Sequence, residues 1–286
     1  MKINVSSKLL IIIFCFLQST VFAGSNDWAV EVVEYVPGNN PVFGYTNPVV
    51  SLGEAARKTI WDQGVEDTDI KVFLPAYYNT DLVSIGDNGH LILGMGKKIY
   101  NEEDDVHPYG VDLIVYGNML FACMNESNVY ASPWYSASWE PAEIWVSQDA
   151  TNWCQATNVF ADSFFPTQSI DIDGNPSDYL YPVNPALLSN DWFGGDWSYT
   201  NTVEAYEGAG GGTPVDLSLL EDQHGNPTNL PWAQFIKFID IPDGEACEID
   251  AVAGVKDLPE PIIVFSVQFS AFSVIFVLRQ KTKFFA

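Results

Sequence analysis

The chain is 286 residues long and carries 37 Asp and Glu against 12 Lys and Arg, a formal net charge of -25, with nine Trp, 13 Tyr and 18 Phe. So acidic a chain, with no basic patch, excludes nucleic-acid binding, where clustered Lys and Arg must neutralise phosphates. No C-x-x-C or paired-His spacing supplies a zinc site, and the glycines of Gly208 to Gly212 lack the Lys and the strand-to-helix context of a P-loop.

The N-terminus reads as a secretory signal. Lys2 and Lys8 are followed by the apolar run Leu9 to Leu17 and by Val21-Phe22-Ala23, the order of charged, apolar and small-residue regions that signal peptidase recognises. Cleavage is expected between Ala23 and Gly24. Cys15 follows Phe14 inside the apolar run, so this is a plain signal peptide and not a lipoprotein signal.

From Gly24 to Asp257 the pattern is that of short strands bounded by Gly, Pro and Asn. In chain order they are Ala29 to Val36, Leu82 to Gly86, His90 to Met95, Val111 to Gly117, Ala142 to Ser147, Gln234 to Asp240 and Glu248 to Val255. The longest helix-like stretch, Gly53 to Trp61, is short. Seven strands without helical spacers predict an all-β fold, one antiparallel, jelly-roll-like sandwich over residues 24–257. Ala122 to Glu140 and Thr157 to Gly212 are expected as long loops. Trp145 and Trp153 are expected in the core, and the GAGGG run as a tight loop before the strand starting at Thr213.

The C-terminus differs from the body. Without residues 1–23 and 258–286 the chain keeps seven basic residues against 36 acidic ones, yet Arg279, Lys281 and Lys283 crowd the last eight positions. Before them, residues 262–278 are uncharged, about 25 Å of helix and just long enough to cross a thin membrane. The basic cluster would hold its end on the cytoplasmic side. Pro259-Glu260-Pro261 disfavours helix at the entry. This Pro-Glu-Pro motif, single apolar span and basic end resemble the PEP-CTERM sorting signal of bacterial surface proteins. The resemblance implies recognition by a membrane-embedded exosortase, removal of the tail and delivery of the body to the cell surface or extracellular matrix. Membrane contact would then be through the tail alone.

The body carries a second resemblance. The segments DLVSIGDNGHLILGMGKKI, HPYGVDLIVYGN, EPAEIWVSQDATNW, GAGGGTPVDLS, FIKFIDIP and EIDAVAGV follow one another as in a family of secreted bacterial surface proteins with E-P-A-x-V-x-V-S-x-D-G, Gly-Gly-x-x-x-Asp-Leu and Asp-Ala-Val motifs. It implies a surface β-sandwich and brings no catalytic residues. Ala150 stands where that family has a turn glycine, which predicts against a positive φ there.

Oxygen-rich loops suggest calcium, which takes about six to eight oxygen ligands in irregular geometry. One candidate is Asp104 and Asp105 with Asp112; the other is Asp171, Asp173 and Asp178 around Gly174. A solvated acidic turn would show the same residues. Trp192 and Trp197, in a loop with Asp, Asn and Ser, are candidates for stacking on sugar rings, with covering of the sandwich end as the other use of such rings. Glu140 and Glu143 are three apart on a strand and point to opposite faces, against joint acid-base work. Cys123, Cys154 and Cys247 allow one disulfide, with Cys123 to Cys154 preferred as a staple of the first long loop. The sequence therefore suggests a noncatalytic structural, adhesive or glycan-binding surface protein in contact with extracellular polysaccharide. The alternative is a secreted polysaccharide hydrolase using Asp and Glu carboxylates.

Overall fold

The computed structural model describes residues 27–256 except 62–64, 105, 124, 164, 190–192, 194–196 and 243. The cleavage site at Ala23 and Gly24, the Pro259-Glu260-Pro261 motif and the 262–278 span lie outside the described residues, as do Asp105 and Trp192. Among the described residues no helix is long and apolar enough to cross a membrane.

The described residues form fifteen strands and one short α-helix, in order β1 (Ala29–Val36), β2 (Lys58–Trp61), β3 (Val65–Asp69), β4 (Val83–Ser84), β5 (His90–Tyr100), β6 (Leu113–Gly117), β7 (Leu120–Cys123), β8 (Trp134–Ser138), β9 (Ala142–Ser147), β10 (Trp153–Ala161), α1 (Tyr199–Ala205), β11 (Thr213–Val215), β12 (Leu220–Glu221), β13 (Pro227–Thr228), β14 (Trp232–Asp240) and β15 (Glu248–Gly254). The fold is all-β and its sheets are antiparallel. A seven-stranded sheet runs β1-β5-β14-β9-β10-β12-β13 and a four-stranded sheet β11-β6-β15-β4; β2 pairs β3, and β7 pairs β8.

The two larger sheets enclose one core. Leu91, Leu93 and Met95 of β5, Ile144 and Val146 of β9 and Ile236 and Phe238 of β14 meet Leu113 and Val115 of β6 and Ile249 and Val252 of β15. Strand β1 shows how sequence shapes the sheet. Its core-facing residues Ala29, Val32 and Tyr35 are three apart, whereas a regular strand returns to the same face every second residue. Two register shifts, between Ala29 and Glu31 and between Val32 and Glu34, absorb the extra residues, setting all three opposite Met95, Leu93 and Leu91. Such bulges also twist an edge strand, and Glu31 and Glu34 charge it, both deterrents to edge-to-edge association.

The small sheet is buried on both faces. Ile114 and Tyr116 of β6 and Ala251 and Ala253 of β15 face away from the common core, into a second layer with Trp28, Tyr179 and Val255. Tyr116 stacks on Tyr179 with ring centroids 5.1 Å apart, and the alanines leave room for those rings. Gly210 and Gly211 fit this layer closely: a Cβ on Gly210 would lie 2.1 Å from the Tyr179 ring, and one on Gly211 2.2 Å from the Pro166 carbonyl oxygen. The GAGGG run is thus the tight loop expected before β11.

Several expectations need correction. Gly53 to Trp61 ends in strand β2, and the α-helix lies instead inside the predicted second loop, at Tyr199–Ala205. Ala122 to Glu140 holds the β7–β8 hairpin partner rather than loop alone. Ala150 does have a positive φ, 59°. Asp149 explains it: its Oδ1 accepts the Thr151 and Asn152 amides at 2.9 and 2.8 Å, an Asx-type clasp that fixes the turn whatever side chain stands at its tip. No disulfide links Cys123 to Cys154; the three cysteines among the described residues are free. Cys123 belongs to the cluster around Trp134 and Phe165, while Cys154 lies opposite Val146 in the large sheet.

Candidate functional site

The outer face of the seven-stranded sheet carries aromatic rings beside lysines. In β9, Ala142, Ile144 and Val146 point into the core, so the period of two sends Glu143 and Trp145 outward. The same logic sends out Lys237 and Phe235 in β14, Trp153 in β10, and Lys98 and Tyr100 beyond the core-facing Ile99. Register places Glu34, Ile92, Lys237, Trp145, Gln155 and Glu221 in one row across the strands. Lys237 Nζ lies 5.2 Å from the Trp145 ring centroid and 4.5 Å from that of Trp153. Toward the other end of the strands Lys98 Nζ lies 3.7 Å over Trp232.

These rings are half-buried, which corrects the expectation that Trp145 and Trp153 are core residues. The alternation of Ala142, Ile144 and Val146 was the signal that places Trp145 outside. Trp145 Nε1 donates to Glu143 Oε2 at 2.9 Å, fixing the indole's orientation. Partial burial lowers the pKa of Lys237, and the carboxylates of Glu143 and Glu34 oppose that shift. Of the rest of the row, Glu34 and Glu221 are acidic, Gln155 carries an amide and Ile92 is apolar.

A second constellation lies inside, at one end of the large sheet. Glu140 precedes β9 and Asp162 follows β10; because Ala142 pairs with Ala161, both fall at the same end of the large sheet. Glu248 opens β15, pairs with Ser84 of β4 and is one residue from Ile249, the partner of Gly117. One carboxylate oxygen from each of Glu140, Asp162 and Glu248 lies within 4.8 Å of the others. Asp162 and Glu248 are buried and Glu140 partly exposed.

Asp162 is held in an unusual pose, with φ 52°. Its Oδ1 accepts the Met119 amide at 2.6 Å, while its Oδ2 is buried with no hydrogen-bond partner. Gly117 makes this approach possible, since a Cβ there would lie 2.3 Å from Asp162 Oδ1. Burial first, then the charge of Glu140, raises the pKa of Asp162 well above the carboxylate range, against the Met119 bond. Burial and then Glu140 push Glu248 up to about 8, although Ser84 and Asn118 hydrogen-bond it. The thiol of Cys247 beside them is raised too, by burial and by the surrounding carboxylates.

The acidic residues singled out in the sequence lie elsewhere. Asp112 is fully buried and receives the Glu102 amide at 3.0 Å, His107 Nδ1 at 2.9 Å and the Leu217 amide at 2.8 Å. Asp104 is exposed, with Oδ1 2.9 Å from the place a Cβ on Gly110 would occupy. Asp171 accepts from the amides of Asp173 and Asn175 and from Asn175 Nδ2, bonds that lower its pKa. The same D-x-x-G-N-P turn recurs at Asp222, which accepts from the His224 and Asn226 amides. Asp173 is exposed, and Asp178 accepts the Leu180 amide. Trp197 packs against the Trp134 cluster and lines an open depression of about 430 Å³ with Asn201, Glu204 and Ala205. Glu140 and Glu143 do diverge, one into the carboxylate cluster and the other to the outer face.

No family model matches the chain, and no curated protein matches it.

Proposed function

We propose that the chain is an exported bacterial surface protein whose jelly-roll-like β-sandwich binds extracellular polysaccharide noncatalytically, through the outer face of the seven-stranded sheet. The observation that carries this reading is the Trp145–Lys237–Trp153 arrangement on the outer face of the sheet. An indole face attracts partial positive charge, which the C–H face of a pyranose presents much as the Lys237 ammonium does. Glu143, Gln155 and Lys237 beside the rings bond hydroxyls. The acidity of the row and of the whole chain favours a neutral chain of sugars over a polyanion.

A noncatalytic role fits the carboxylates as well. The cavity against Asp162 holds about 10 Å³, room for about one water and none for a sugar ring. The signal peptide to Ala23 and the Pro259-Glu260-Pro261 tail belong to this reading, as the means by which signal peptidase and an exosortase deliver the domain outside.

The test is retention on a panel of neutral and uronate-rich polysaccharides by affinity electrophoresis. Trp145→Ala and Trp153→Ala should each weaken binding to a neutral polysaccharide at least about tenfold, the loss of about 1.4 kcal/mol that a central aromatic contact supplies. Trp197→Ala should leave it unchanged. Loss in Trp197→Ala alone would move the ligand to the depression beside α1, and no retention of the parent protein on any polysaccharide would end the glycan reading. Deletion of the host's exosortase should accumulate a membrane-held form that keeps its C-terminus; unchanged processing would reduce the tail to an ordinary anchor.

A further inference from the structure

We propose that Glu140, Asp162 and Glu248 bind one calcium ion between the strand ends of the two sheets. The proposal is independent of the polysaccharide reading, because the cluster is inside the fold and the rings are on its outer face.

Three carboxylate oxygens within 4.8 Å of one another match the spread of ligands around one calcium, where oxygens at about 2.3–2.6 Å from the ion lie at most about 5 Å apart. Acidic groups cluster on many surfaces without a ligand. Here a separate feature demands one: Asp162 is 2 % exposed and its Oδ2 has no hydrogen-bond partner. A buried carboxylate oxygen without a donor is costly, and the Met119 amide holds the other oxygen so that the group cannot turn away. The charges acting on Asp162 are those of Glu140 and Glu248, both negative. Asp240 adds to the negative potential at Glu248, and the Cys247 thiol is the remaining titratable neighbour. A cation is what this surrounding lacks.

One neutral oxygen belongs to a side chain that bonds the cluster, since Asn118 hydrogen-bonds Glu248. The buried Oδ1 of Asn118 has no hydrogen-bond partner, and Asn118 adjoins the Met119 amide that holds Asp162. Hard oxygen donors, irregular geometry and a partly exposed Glu140 at the entrance suit calcium. Magnesium demands a tighter octahedron of about 2.0–2.1 Å and keeps more of its waters.

The experiment is thermal unfolding and calorimetric titration of the purified full chain at pH 8, after chelator and then with calcium or magnesium. The expected result is one calcium per chain and a rise in the melting midpoint on adding calcium. A micromolar site at millimolar calcium multiplies the folded-to-unfolded ratio about 1,000-fold. Asp162→Asn and Glu140→Gln should abolish the rise, and Glu140→Gln, at a partly exposed position, guards against simple misfolding. Two results would overturn the proposal. One is a calcium-dependent rise that persists in both variants, which places the ion elsewhere. The other is no binding by the parent protein at millimolar calcium together with an Asp162→Asn variant more stable than the parent, which identifies a shared proton in the cluster.

Discussion

Asp112 Oδ1 stands 2.9 Å from His107 Nδ1 while its Oδ2 takes the Leu217 amide at 2.8 Å. One fully buried carboxylate thereby joins the segment before β6 to the segment after β11. Asp112→Ala would leave two amide donors buried and unanswered, the situation in which removal of one partner costs most. The expected loss is about 3 kcal/mol or more, read as a lower midpoint in urea with an unchanged slope. A loss below about 1 kcal/mol would mean that water replaces the carboxylate there.

Glu248, Asp162 and Asp250 set the pH dependence. All three are raised by burial, so the native state holds protons that the unfolded chain has already released. Their contribution to stability is complete below the unfolded carboxylate pKa of about 4 and is lost as the pH rises through the native value, about 8 for Glu248. In chelator the melting midpoint should therefore fall between about pH 5 and pH 8. Calcium should flatten that fall. A midpoint in chelator that rises across this interval would show that these groups are ionised in the native protein.

Ala150→Gly should stabilise the protein. Its φ of 59° costs an L-residue about 1 kcal/mol, a penalty that glycine does not meet, offset in part by the greater freedom glycine gives the unfolded chain. A net gain of about 0.5 kcal/mol is expected, measured by chemical denaturation. Asp149→Ala should act in the opposite direction, because it removes the bonds that shape the turn.

The three thiols should report burial in order. Cys154 is half-buried, whereas Cys123 and Cys247 are buried. A thiol reagent should label Cys154 first in the native protein and the other two only as it unfolds. The reduced and non-reduced proteins should have the same mobility on denaturing gels. A single label on the fully unfolded, unreduced protein would reveal a disulfide.

What could be read from the sequence divides by how local its cause is. β1 and β9 keep the limits read from the sequence, and β5 and β14 run further than their apolar stretches because the outward positions are aromatic or charged. β10 escaped notice because Asn158 sits at φ 60° and the pairing with β9 shifts between Gln155 and Phe160, so its residues never alternate regularly. α1 is seven residues long; what secures it is its buried face, where Thr202 receives Trp134 Nε1 at 2.8 Å, a contact distant in sequence. The carboxylate cluster had no motif at all. Glu140, Asp162 and Glu248 meet only because Ala142 pairs with Ala161 and Ile249 with Gly117, facts of register that no spacing encodes. The D-x-x-G-N-P turn at Asp171 shows the other side of local spacing: the pattern that suggests metal ligands is also one that closes a tight turn, with the Asp173 and Asn175 amides donating to Asp171.

The strand order has a bearing on how the chain reaches its shape. β5 lies between β1 and β14, and β15, the last strand of the body, occupies an interior place in the small sheet between β6 and β4. Neither sheet can be completed while the chain is still emerging, since a centrepiece of each arrives late. Pairings between such remote segments are slow to find. Both sheets would thus stay open until the late strands are available, and the wait for β15 would act as a clock that holds back folding until the body is nearly whole.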